Sequence, residues 1–248
     1  DWSNPFHQRL LLNRELYFAS VDQFNDPFDG TIPHRYDTNE LTEANIFLKY
    51  YQITKREYPG WTDEQIHKHC FEYQHRGHFH DEKFLEDFEL DTLKEINKAF
   101  GVVCLCKRRD NFLLWSHYAN SHYGFCIGFD KTLLFEDTKS KFEHMQYQDE
   151  LPTLKLFDDT SNHFTKLIAT KSKIWSYEEE YRLTQIHFAR QSAILKKETI
   201  VEILFGCKML QADKFKLLDF ISQEYPNTKV FDTRLSKTKF EAEIIQIR

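Results

Sequence analysis

The chain is short of the residues that break regular structure, with 7 glycines and 6 prolines in 248 positions. That scarcity excludes collagen-like repeats, Pro-rich spacers and Gly/Ser linkers. No apolar run approaches the ~18 residues a membrane-spanning helix needs, and no signal peptide or lipidation box is visible, so no membrane partner is expected. Cysteine is sparse and odd in number. Cys70, Cys104, Cys106, Cys126 and Cys207 are irregularly spaced and three lie in apolar strand-like runs. They read as buried thiols of an intracellular, cytoplasmic protein rather than disulfides or a zinc site. Positive charge is also in deficit: 33 Lys and Arg against 39 Asp and Glu give −6. A whole-surface footprint for nucleic acid is thereby excluded, although Lys107-Arg108-Arg109 leaves a local basic approach open. Walker A, G-x-G-x-x-G, G-x-S-x-G and H-E-x-x-H motifs are missing, which argues against P-loop, Rossmann and α/β-hydrolase chemistry. The chain opens on Asp1 rather than Met, so residues ahead of it are expected.

Aromatics are abundant instead, at 23 Phe, 12 Tyr and 4 Trp. Most are expected in the core, with some shaping a pocket. Ser3-Asn4-Pro5 reads as a helix start ahead of Phe6 to Leu16, with a short strand over Leu16 to Ser20. Phe24-Asn-Asp-Pro-Phe-Asp-Gly30 reads as a rigid loop presenting Asn25, Asp26 and Asp29. Thr38 to Tyr58, Thr62 to His75 and Asp81 to Ala99 have the periodicity of amphipathic helices. The second half changes character, with strands expected at 101–106, 124–130, 141–147, 180–188, 199–205, 228–233 and 240–248, and a helix over 212–224. The fold class that follows is α+β, with a mixed or mainly antiparallel sheet. One domain is expected over 1–248, with a helical insertion at about 38–100.

Three constellations stand out. Trp115-Ser-His-Tyr-Ala119 crowds a large ring, a hydroxyl, an imidazole and a phenol into one segment, which suits either a pocket lining or a helix turn with satisfied polar tips. Trp175-Ser-Tyr-Glu-Glu-Glu-Tyr-Arg182 opens a strand. Alternation there places Glu178, Glu180 and Arg182 on one face, as a charge-balanced array or as ordinary cross-strand pairs. His67, His69, His75, His78 and His80, with Cys70, are dense but fit no standard zinc frame, so they read as a solvated helix end and no metal is expected.

The boxes Phe24-Asn-Asp-Pro-Phe-Asp29, Trp115-Ser-His-Tyr-Ala119, Gly124-Phe-Cys-Ile-Gly-Phe-Asp130, Trp175 to Arg182 and Ile203-Leu-Phe-Gly206 resemble those of a bacterial domain-of-unknown-function family similar to abortive-infection, or phage-defence, proteins. A second, fold-level resemblance is to ADP-ribosyltransferases, whose late strand carries a catalytic Glu, often as Glu-x-Glu; their opening His or Arg strand is either upstream of Asp1 or missing here. This resemblance implies a toxin-like antiviral effector that cleaves NAD, its nucleotide substrate, and transfers ADP-ribose to a protein or nucleic acid. Catalysis would fall to Glu180, Glu178 and His117. Asn25, Asp26, Trp115, Tyr118 and Arg182 would bind the substrate. Two other readings stand beside it. One is a metal-dependent nuclease using Asp26, Asp29, Glu178 and Glu180 with Lys171 or Lys173. The other is a non-catalytic sensor binding a phage component through an aromatic pocket.

Overall fold

The computed structural model describes residues 2–31, 33, 35–158 and 160–248, the side chains of 160–163 excepted. In chain order the elements are α1 (Pro5–Leu12), β1 (Glu15–Phe18), α2 (Glu43–Glu57), α3 (Asp63–His75), α4 (Glu82–Ala99), β2 (Phe100–Cys106), α5 (Phe112–Tyr118), β3 (Phe125–Phe129), α6 (Lys131–Thr138) and β4 (Lys141–His144). They continue with β5 (Gln146–Gln148), α7 (Thr160–Ala169), β6 (Thr170–Ser172), β7 (Glu180–Ile186), β8 (Gln191–Ile194), β9 (Ile200–Phe205), α8 (Gln211–Glu224), β10 (Lys229–Leu235) and β11 (Ala242–Gln246). A six-residue 3-10 turn, Lys173–Glu178, leads into β7. The fold is α+β, with mixed and antiparallel sheets.

Two compact units divide the chain. The sheet unit takes residues 1–20, 100–145 and 175–248, and the helical unit takes 21–99 and 146–174. In the sheet unit a four-stranded sheet runs β11-β10-β9-β3 and a three-stranded one β2-β7-β4. The parallel pair β9–β10 is joined by α8, the crossover that parallel pairing requires. Leu217 and Ile221 of α8 pack on Ile203, Phe205 and Val230 of that sheet. Burying each such side chain stabilises the fold by roughly 1.5–3 kcal/mol. A second core cluster joins Phe18, Val103, Leu134, Leu183 and Leu195. It takes one face of the three-stranded sheet, because Val103 and Leu183 are register partners and side chains alternate along a strand.

Helix caps follow sequence signals. Asn4 accepts from Phe6 N–H at the start of α1, where Pro5 fills the first turn. Thr62 and Gln65 close a reciprocal capping box on α3. In the helical unit α2 and α3 bury Ile46, Thr54, Ile66 and Cys70, and the Thr54 hydroxyl lies 3.1 Å from His69 Nδ1.

Several expected boundaries shift. The segment 141–147 is two strands: β4 pairs with β7 in the sheet unit, whereas β5 pairs with β6 in the helical unit. Helices α6 and α7 and strands β6 and β8 lie outside the expected set. The cysteines are all free, but Cys104 and Cys106 are exposed, contrary to the expectation of buried thiols. They occupy alternate positions of β2, opposite Arg182 and Glu180 of β7, on the face away from the Val103–Leu183 core. Among the described residues no helix is long and apolar enough to cross a membrane.

Candidate functional site

Two sequence boxes meet in the sheet unit. Asn111 caps α5 through its Oδ1, which accepts from Leu113 N–H at 3.1 Å. Its amide nitrogen donates to the Tyr177 carbonyl, fixing the 3-10 turn against the helix start. Trp115 is 6% exposed, packs with Ala119, Leu204 and Phe231, and donates from Nε1 to the Arg109 carbonyl at 2.8 Å. It anchors the helix in the core. The other face of α5 carries the reactive groups. The His117 ring lies 6.0 Å from Trp175 and 6.4 Å from Tyr177, and the Tyr118 hydroxyl donates to Glu178 Oε1 at 2.7 Å.

The acid triplet divides by backbone conformation rather than by strand alternation. Glu178 ends the 3-10 turn, Glu179 takes a left-handed φ of 45°, and β7 begins only at Glu180. A left-handed residue other than glycine costs roughly 1–2 kcal/mol, and here it re-aims the chain. Glu178, 3% exposed, therefore turns inward to Tyr118. Glu179 pairs outward with Arg108 at 3.7 Å, and its carbonyl accepts from Lys107 N–H. Glu180 meets Arg182, whose Nε donates to its Oε1 at 2.6 Å. Arg182 is fully buried, with Cys104 and Glu143 as its register neighbours on the flanking strands. Burial pushes the Cys126 thiol up to about 12, so it is a thiol, not a thiolate, at neutral pH.

The first-half candidates lie in the helical unit. Asn25 is exposed, while Asp26 and Asp29 are 8% and 4% exposed and point inward rather than outward from their loop. Asp26 Oδ1 accepts from Phe28 N–H at 3.0 Å, as an Asx turn does. Asp29 pairs with the buried Lys171 at 3.8 Å, beside a cavity of about 160 Å³ lined by Phe28, Thr170, Lys171 and Ser172. The acids of the nuclease reading thus belong to two different units. Among the described residues no three His, Cys, Asp or Glu side chains group as a metal site.

Sequence reasoning missed Ser116 paired with His122 at 3.3 Å, and Glu143 beside Arg182. The pattern Asn-Ser-His-Tyr-Gly after a helix was the available signal for the first, since Asn and His tolerate left-handed backbone.

Comparisons with curated proteins and with solved structures return no match. A family model described as a protein of unknown function (DUF2971) matches residues 114–183, the span from Leu114 through the Tyr118–Glu178 pair to Leu183 after Arg182.

Proposed function

We propose that the chain is an ADP-ribosyltransferase-like effector of bacterial antiviral defence, which cleaves NAD and passes ADP-ribose to a protein or nucleic acid. The defence setting rests on the resemblance of its boxes. The chemistry rests on one observation, the buried Glu178 held by the Tyr118 hydroxyl beside the ring group of His117, Trp175 and Tyr177.

Breaking the nicotinamide–ribose bond leaves positive charge on the ribose, so a carboxylate beside it stabilises the transition state more than the ground state. Glu180 already faces a guanidinium at 2.6 Å. Glu178, buried at the end of the 3-10 turn beside the rings of His117 and Tyr177, accepts from the Tyr118 hydroxyl at 2.7 Å and takes the stabilising role. In this reading the C1′–nitrogen bond breaks, nicotinamide leaves with the electron pair, and the acceptor attacks C1′ while giving its proton to Glu178. The rings of His117 and Trp175 stack the nicotinamide. Arg182 positions Glu180 and the start of β7.

The test is nicotinamide release from NAD by the purified chain. Glu178→Gln is expected to slow release about 100-fold or more, and expression of the native chain is expected to arrest bacterial growth. Absence of both NAD binding and nicotinamide release in the native protein overturns the reading, as does a fully active Glu178→Gln variant.

A further inference from the structure

Ser116 follows Trp115 in α5, and its hydroxyl lies 3.3 Å from Nε2 of His122. His122 is 5% exposed, with its ring 4.2 Å from that of Phe112, centroid to centroid. The backbone that brings it there is unusual. Asn120, Ser121 and His122 all take left-handed conformations, at φ 47°, 51° and 71°. Such residues occur singly far more often than in runs, and a run persists only where surrounding structure holds it.

That structure is present on both sides of the turn. His122 N–H donates to the Trp115 carbonyl at 3.2 Å and Gly124 N–H to that of Ala119 at 2.8 Å. From the end of β9, Lys208 N–H donates to the His122 carbonyl at 3.1 Å. A side chain at Gly206 would collide with that same carbonyl oxygen, so glycine is required for the approach. The net effect is a strained, clamped turn that sets one imidazole against one serine hydroxyl. Burial, aided by the charge of Lys208, lowers the His122 pKa, which keeps the ring neutral and able to accept a proton.

We propose that Ser116 and His122 form a nucleophile and general-base pair that accepts acyl groups from activated esters, a site separate from the NAD reading. Ser116 Oγ bonds to the ester carbonyl carbon as its proton passes to His122 Nε2. The carbon–oxygen bond to the leaving group then breaks and the leaving oxygen keeps the electron pair. The proton on His122 passes to the leaving oxygen or to solvent, so the imidazole is neutral again. Water then attacks the acyl-serine and gives its proton to His122, and the acyl carbon–Oγ bond breaks as that proton returns to Oγ, which releases the carboxylic acid and restores Ser116.

The experiment treats the purified chain with p-nitrophenyl acetate, following nitrophenolate release and mapping the acetyl group by peptide mass. The expected result is a burst of nitrophenolate with the acetyl on Ser116, both lost in Ser116→Ala. His122→Asn keeps a residue that tolerates the left-handed turn; it is expected to slow acylation about 10-fold or more, with partial recovery in added imidazole. Mapping in the native chain needs no variant to fold. An acetyl group found elsewhere and not on Ser116 overturns the proposal, as does a His122→Asn variant that folds and acylates at the native rate.

Discussion

On β7 of the sheet unit Arg182 and Glu180 are buried against each other, whereas in the helical unit Phe84 and Phe88, 40% and 46% exposed, stack in the open along α4. The sheet unit takes charged and polar groups inside and pairs several of them: Glu180 with Arg182, Glu178 with Tyr118, Lys214 with Asp232. The helical unit holds a buried Asp29–Lys171 pair as well, but along its helices it lines up rings in pairs such as Tyr58–Trp61 and His78–Phe84, centroids 4.2 Å and 4.0 Å apart. A buried charge depends on its partner almost completely, while an exposed ring pair contributes a fraction of a kcal/mol to about 1.5. The buried pairs of the sheet unit are therefore intolerant of single changes of a kind that the exposed ring pairs of the helical unit would absorb.

The largest expected effect tests that intolerance directly. Arg182→Leu strands Glu180 without its guanidinium and is expected to cost about 3–5 kcal/mol in urea unfolding, most of it recovered when Glu180→Met is added. A cost below about 1 kcal/mol would erase the contrast between the units. Next come the glycines. Gly206→Ala forces the chain at His122 to move and is expected to cost about 1–3 kcal/mol. Gly60→Ala meets nothing within 4 Å in the helical unit and is expected to stay within about 0.5 kcal/mol of native. Equal midpoint shifts for the two would break the comparison.

Smaller effects sharpen it. Tyr118→Phe removes the hydroxyl that donates to Glu178 Oε1, and is expected to cost about 1–2 kcal/mol, read from the same unfolding curves. For pH, the folded chain holds the His122 proton less tightly than the ordinary value of 6.5. The unfolded chain therefore takes up that proton first on acidification. Stability from this residue is intact above about pH 6.5 and declines below it. The stability gap between the native chain and His122→Asn should shrink between about pH 7.5 and pH 5.5; a gap independent of pH would show that His122 is not held neutral. Smallest of all, Leu90→Gln at a 56% exposed site of α4 is expected to change thermal unfolding by no more than about 0.5 kcal/mol.

Much of the fold was legible because its signals are local. The Thr62–Gln65 capping box and Pro5 after Asn4 mark helix starts that stand within a residue of expectation, and β2, β9 and α8 fall on apolar runs of the right length. Helix α6 was hidden: Asp130 caps it, but Thr, Leu and Phe alternate weakly within it and the preceding strand signal runs to the same aspartate. At the candidate site the residue types were readable and their grouping was not. Strict alternation put Glu178 with Glu180, because a left-handed glutamate at 179 carries no composition signal. The Ser116–His122 pair depends on three successive left-handed residues, a tertiary outcome imposed by Gly206 from the far end of β9.

The way the chain visits its two units has a consequence for synthesis and for cleavage. The sheet unit is assembled from three stretches, and the polypeptide passes between units at residues 20–21, 99–100, 145–146 and 174–175. Strand β1 waits for β8 at Gln191–Ile194, and β2 waits for β7, so the sheet unit cannot close until most of the chain has left the ribosome. The helical segment Glu43–Ala99 has its local contacts early and can form during that wait. A single proteolytic nick at any passage leaves three covalent links between the units, so such a cut would relax this protein without dividing it.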